Sequence, residues 1–216
     1  MTEFRLRIGF AKAEAAIWLS HLEVVRAMER CVRRSGLPYA VSQGFSPHLK
    51  HSFSAALPVG TGSTGEYMDV ELASLVPAEQ ALASLKAVQH RYLPILSAKY
   101  APKNEDSLQI FLNHALYLIG FEGIHEPELS ELFKRLSTST EITVHKKGGP
   151  KAYNLRNYLV EASLDQGSLK IALLSRPEGS LRPEVILETV AKPDLELKIR
   201  SITRIALSHQ DLPPMV

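Results

Sequence analysis

The chain reads as an α+β protein of two ferredoxin-like (βαββαβ) units packed side by side, and three observations predict it. A strand followed by a capped helix opens the sequence. The element order of the first hundred residues is β-α-β-β-α-β, the order of the split βαβ unit. A similar order recurs after a polar junction, without any internal sequence repeat.

The first strand is carried by alternation: Phe4, Leu6, Ile8 and Phe10 are apolar, with Arg5, Arg7 and Gly9 between them. Ser20 and Glu23 have capping-box spacing, with Leu19 and Val24 at staple positions, so a helix begins there. Gly36-Leu37-Pro38 stops it. At the helical period Val24, Val25, Met28, Cys31 and Val32 share one face, and Arg26, Arg30, Arg33 and Arg34 gather opposite. Strands are predicted at Ser52–Val59 and Tyr67–Leu72, a helix at Pro77–Gln89 and a strand at Leu93–Tyr100. Residues 101–107 are polar enough for a linker, which sets the units at 1–102 and 108–210. In the second unit strands are predicted at Ile110–Ile119, Glu141–His145, Leu159–Leu164, Leu169–Leu174 and Leu197–Leu207. Helices are predicted at Pro127–Ser137 and Arg182–Val190, with Ser180 as cap of the latter and Pro183 in its first turn.

Composition narrows the function classes. The 216 residues are 45% hydrophobic and 22% charged, ordinary for a globular protein. The net charge of +2 does not by itself call for nucleic acid, but it is unevenly spread. Residues 1–60 carry eight Lys/Arg against four Asp/Glu, whereas 120–133 carries four Glu and no base. Cys31 is the only cysteine, which excludes an internal disulfide, an all-cysteine zinc site and an iron–sulfur cluster within one chain. With no apolar leader and no stretch approaching a membrane span, the expectation is a cytoplasmic protein without a membrane partner.

The segment from Ser42 to Phe53 holds a glycine, a proline, His48, His51, Lys50, Phe45 and Gln43, and no carboxylate. Such a loop can receive phosphates and stack on bases, although a surface turn anchored by its aromatics has the same composition. It follows the arginine-lined helix, whose Glu23 and Glu29 offset only part of the four positive charges. The turn Lys146–Lys151, with Lys147 at its centre and Arg156 after it, is a second basic candidate, equally readable as a solvated hairpin end.

Other patterns have simpler explanations. Gly60-Thr61-Gly62-Ser63-Thr64-Gly65 fits G-x-G-x-x-G, but a strand follows it where the dinucleotide fingerprint needs a helix, so it reads as a glycine-rich hairpin loop. His48 and His51 have His-x-x-His spacing without a specified third ligand, so no metal and no cofactor is expected. His21 sits at a helix N-terminus, where the dipole disfavours its protonated form. His21 and His48 are the candidate catalytic groups if any chemistry occurs.

The run Trp18-Leu19-Ser20-His21-Leu22-Glu23, then Arg26, Glu29-Arg30, Arg33-Arg34, Gly36-Leu37-Pro38, Ser42-Gln43-Gly44-Phe45-Ser46-Pro47-His48, Leu57-Pro58-Val59-Gly60 and Glu66-Tyr67 resembles the radical-SAM-linked protein family. That bacterial family of unknown function is encoded beside or fused to a radical SAM protein. The resemblance covers residues 4–72 closely and the second half more loosely, through Asn154-Leu155-Arg156 and Gly179–Pro183. Glu23 stands where the family usually has Asp, Ser46 where it has Asn, Leu49 where it has Pro, and Asn154 where it has Asp. The resemblance implies a radical SAM protein as partner. This chain, with one cysteine, cannot be that enzyme itself.

The functional expectation is an accessory protein that binds RNA, or another phosphate-bearing substrate, for an associated radical SAM enzyme. Arg26, Arg30, Arg33, Arg34, Gln43, Phe45, His48, Lys50, Lys147 and Arg156 are the candidate contacts. The alternatives are a metal-independent ribonuclease using His21 or His48, and a protein-only scaffold for the radical SAM partner.

Overall fold

Alternation in the first residues becomes β1 (Phe4–Lys12), one strand of a mixed α/β fold. The computed structural model describes residues 4–102, 104–146, 149–191 and 194–209. The chain divides into two compact units, Met1–Leu112 and Asn113–Val216.

In the first unit β1 is followed by α1 (His21–Arg34), β2 (His51–Phe53), β3 (Thr61–Leu72), α2 (Ala78–Val88), β4 (Ile95–Tyr100) and a short α3 (Leu108–Phe111). The strands lie in the order β4-β1-β3-β2, each pair antiparallel. Leu6, Ile8 and Phe10 of β1 and Met68, Val70 and Leu72 of β3 pack with Val24, Met28, Cys31 and Val32 of α1 and with Ala81 and Leu85 of α2. This is the apolar face of α1 read from the sequence, with Ala27 buried as well and Val25 half-buried. Burial raises the pKa of the Cys31 thiol, which suits a packing role better than a reactive one.

The alternate residues of β1 and β3 carry charge. Arg7, opposite Asp69 in the ladder, grips it with two bonds of 2.8 and 2.9 Å. Arg7 also pairs with Glu105, and the Arg5 guanidinium donates to the carbonyls of Pro102 and Glu105. Pro102 and Glu105 of the polar run are thereby tied to β1, and the first compact unit extends through Leu112.

Three further readings change. The strand predicted at Ser52–Val59 stops at Phe53, because Leu57 turns inward and Pro58 has no N–H for a ladder. The glycine-rich run is no loop: only Gly60, at φ +86°, is in the turn, and Thr61, Gly62 and Ser63 are buried in β3. Their small side chains fit where Ser63 faces Lys12 across an irregularity in the ladder. Ile110 belongs to α3, and the strand predicted from it begins at His114.

The second unit runs β5 (His114–Phe121), α4 (Glu126–Thr138), β6 (Glu141–Lys146), β7 (Gly149–Asn154), β8 (Leu159–Asp165), β9 (Ser168–Leu174), α5 (Pro183–Ala191) and β10 (Ile199–Ser208). Its strands lie in the order β10-β5-β9-β8, all antiparallel, while β6 and β7 form a separate hairpin. Leu129, Leu132 and Leu136 of α4 and Ile186, Leu187 and Val190 of α5 are buried. Arg135 of α4 holds Asp194 through bonds of 2.7 and 2.9 Å, which keeps that carboxyl down at about 2. Ser180 is not the cap of α5: the helix starts at Pro183, so Arg182 occupies the cap position. No described helix is long and apolar enough to cross a membrane.

Candidate nucleic-acid interface

The Ser20 cap fixes where α1 starts and hence which way its faces point. Ser20 Oγ accepts from the Glu23 N–H at 3.4 Å, while the Glu23 carboxylate accepts from the Ser20 N–H at 2.8 Å and from its hydroxyl at 2.7 Å. These bonds, the hydroxyl first and the backbone N–H second, hold the Glu23 carboxyl below its ordinary pKa. A depressed folded-state pKa stabilises above the unfolded value, and that contribution is lost as pH falls through the folded one. Ser20→Ala is expected to cost about 1 kcal/mol at neutral pH. Urea denaturation should show the gap to wild type narrowing in acid.

From this start Arg26, Arg30, Arg33 and Arg34 all come out exposed. Among the described residues none of the four forms an ion pair. Glu23 is held in the cap, from where its charge also acts on Arg26, and Glu29 is engaged with His51 Nε2 at 2.8 Å. Arg33 lies over the Tyr39 ring, 5.9 Å from its centre. Through Tyr39 and His51, both ends of the following loop are thus attached to the flank of the arginine helix.

The loop is closed by its own backbone. Ser42 N–H donates to the His48 carbonyl at 2.8 Å, Lys50 N–H donates to the Ala40 carbonyl at 3.0 Å, and Val41 bridges the buried Leu49. His48 Nδ1 lies 3.0 Å from Ser42 Oγ and 3.1 Å from the Ser46 carbonyl, which fixes the ring. At the tip Gln43 is exposed and Phe45 is fully exposed. A phenylalanine held clear of any packing presents both ring faces to a base. Lys50 lies 3.4 Å from Glu71, so β3 supplies the counter-charge that the loop itself lacks.

Two cavities flank this region. The larger, about 570 Å³, brings His48 and Lys50 together with Arg5, His51, Asp69 and Glu71. Among the described residues His51 Nδ1 is buried and has no hydrogen-bond partner. The smaller, about 20 Å³, is lined by Lys12, His21, Phe53, Ser54 and Glu66. His21 therefore does not meet His48: the two candidate catalytic histidines line different cavities. Among the described residues no group of three or more His, Cys, Asp and Glu side chains could hold a metal ion.

Lys12 is not among the site residues expected from the sequence, and Glu66 has no support from spacing as a ligand or as an acid/base partner of Asp69. The signal for Lys12 was present, since it is the next inward position after Phe4, Leu6, Ile8 and Phe10. Arg156 is exposed in the second unit, where its guanidinium donates to the Ser137 carbonyl. Lys147 lies outside the described residues.

No curated protein matches this sequence. Among solved structures, that of an unknown protein from Galdieria sulphuraria is similar over 92% of this chain and 99% of its own, at 14% identity and a TM-score of 0.29. Residues 5–183, from β1 through the arginine helix and its loop to the start of α5, match the family described as an uncharacterized protein conserved in bacteria (DUF2344), and the chain belongs to that family.

Proposed function

We propose that the first unit binds RNA through the exposed face of α1 and the loop at its flank, and holds it as the substrate of a radical SAM enzyme. The observation that carries this reading is the group Arg26, Arg30, Arg33 and Arg34, exposed and without ion pairs among the described residues. Guanidinium groups match phosphate geometry, and four of them on one helix face repel one another in a way that an anionic partner relieves. Phe45 adds a stacking surface beside them. The partner enzyme is proposed from the family resemblance, and the paired ferredoxin-like architecture from the strand orders β4-β1-β3-β2 and β10-β5-β9-β8. Titrating labelled single-stranded RNA at several salt concentrations tests the binding. Affinity that does not fall as salt rises would remove the reading.

A second reading, cleavage of the bound strand, is favoured by His21, which shares its cavity with Lys12 and Glu66. On that reading RNA is cut in the presence of chelator and His21→Ala abolishes the cutting. Intact RNA after prolonged incubation leaves binding alone.

A further inference from the structure

Phe45 stands at the tip of its loop with nothing to pack on. It is fully exposed, and among the described residues it meets no other ring. Gly44 and Ser46 on either side of it offer no apolar surface, and Gln43 and His48 are exposed as well. The ring is nevertheless held in place. Ser42 and His48 exchange two bonds, from the Ser42 N–H to the His48 carbonyl at 2.8 Å and from the His48 N–H to Ser42 Oγ at 3.1 Å. This clamp leaves only residues 43–47 outside it, and Gly44, at φ +131°, makes the turn. A phenylalanine set on such a tip forgoes the burial that a core position would give it.

We propose that this ring selects RNA carrying an unpaired nucleotide, whose base stacks on Phe45 while phosphates of the same strand lie on the arginines of α1. The proposal rests on the RNA reading above and names the class of RNA. Inside a duplex both faces of every base are covered, so a protein ring reaches bases only in single strands, bulges and ends. Magnitudes decide against prising a base out of a duplex. Stacking on one ring is worth roughly tenfold in affinity. Extracting a paired base costs at least as much, and one ring does not offset it. A membrane or a protein pocket suits the tip less well, because both favour several apolar side chains together. The placement fits a strand on the arginine face. Tyr39 lies under Arg33 and His51 is bonded to Glu29, so both loop ends are fixed to the exposed side of α1. Phe45 follows Tyr39 by six residues and precedes His51 by six. At about 3.3 Å per residue the ring stands within about 20 Å of that flank, a distance that a short run of nucleotides spans.

The test measures how far Phe45→Ala weakens binding of the full chain to three probes: a single-stranded RNA, a duplex of the same sequence, and an abasic strand with the same number of phosphates. The loss is expected to be about tenfold on the single strand and absent on the other two. One bulged nucleotide should make the duplex sensitive to the substitution, and Phe45→Trp should keep the affinity for the single strand. Because the ring packs on nothing, the variants keep the fold of the wild type. Salt-dependent binding with an equal loss on all three probes, or with no loss on any, overturns the unpaired-base site and leaves the arginine reading intact. Absence of salt-dependent binding to any probe overturns both.

Discussion

Replacing Asp69 with alanine is expected to destabilise the first unit by about 3–5 kcal/mol. Arg7 is 6% exposed and Asp69 3% exposed, so neither charge is relieved by water. The aspartate takes two bonds from the guanidinium in the planar fork that suits it. Without it, the buried cation loses its bidentate partner and is left with weaker compensation, such as the Glu105 pair and the face of Phe111, 5.5 Å from the guanidinium carbon. The cost is that of an uncompensated charge more than of a lost contact, which predicts how a second mutation behaves. Arg7→Met combined with Asp69→Ala should recover part of the loss, since the buried cation is then gone and the charge left behind is that of Glu105, which is less buried. Urea denaturation followed by circular dichroism, with hydrogen exchange on the β1 amides, measures both. A loss below about 1 kcal/mol for the single variant would mean that Glu105 compensates the arginine by itself.

The Arg30/Arg33/Arg34→Ala variant is expected to bind single-stranded RNA about a hundredfold more weakly than wild type at 0.1 M salt. The figure follows from counterion release: each phosphate contact on a single strand contributes roughly 0.7 to the slope of log affinity against log salt. Three contacts make about 2 units of slope, and one decade below molar salt turns that into two decades of affinity. The two proteins should therefore converge as salt rises. These side chains are exposed, so the variant should melt within about 0.5 kcal/mol of wild type, which separates a binding effect from unfolding. Parallel salt lines for the two proteins would show that the arginines touch no phosphate. Phe45→Ala is the complementary probe. Stacking is uncharged, so it should lower affinity at all salt concentrations without changing the slope.

Much of the first unit was legible because its local signals agree. Ser20 and Glu23 mark the start of α1, Gly36-Leu37-Pro38 its end, and the apolar period its buried face, and the helix lies where all three put it. The arginine face follows from the same period. Signals failed where a side chain's role is set by a distant partner. Thr61–Gly65 is polar and glycine-rich, yet it is strand, because the neighbouring ladder demands small residues there. The strand at Gly149–Asn154 has one buried side chain, Tyr153, too little pattern to announce it. Leu108–Phe111, apolar except for Gln109, suits a helix turn as well as a strand end. The loop from Ser42 to Phe53 looked free of carboxylates, but Glu29 and Glu71, from α1 and β3, reach His51 and Lys50. Only the fold could bring those acids in.

Trp18 is the chain's one tryptophan, 68% exposed, with its ring 3.5 Å from where a side chain on Gly60 would begin. It stands against the turn at Gly60, two residues after the Pro58 carbonyl that accepts from Lys12. All indole emission from this protein therefore originates in the first unit. The molecule carries its own fluorescent gauge: on the proposed binding mode, nucleic acid that reaches this turn should change the ring's solvation and quench or shift its light, while the second unit contributes no tryptophan background at all.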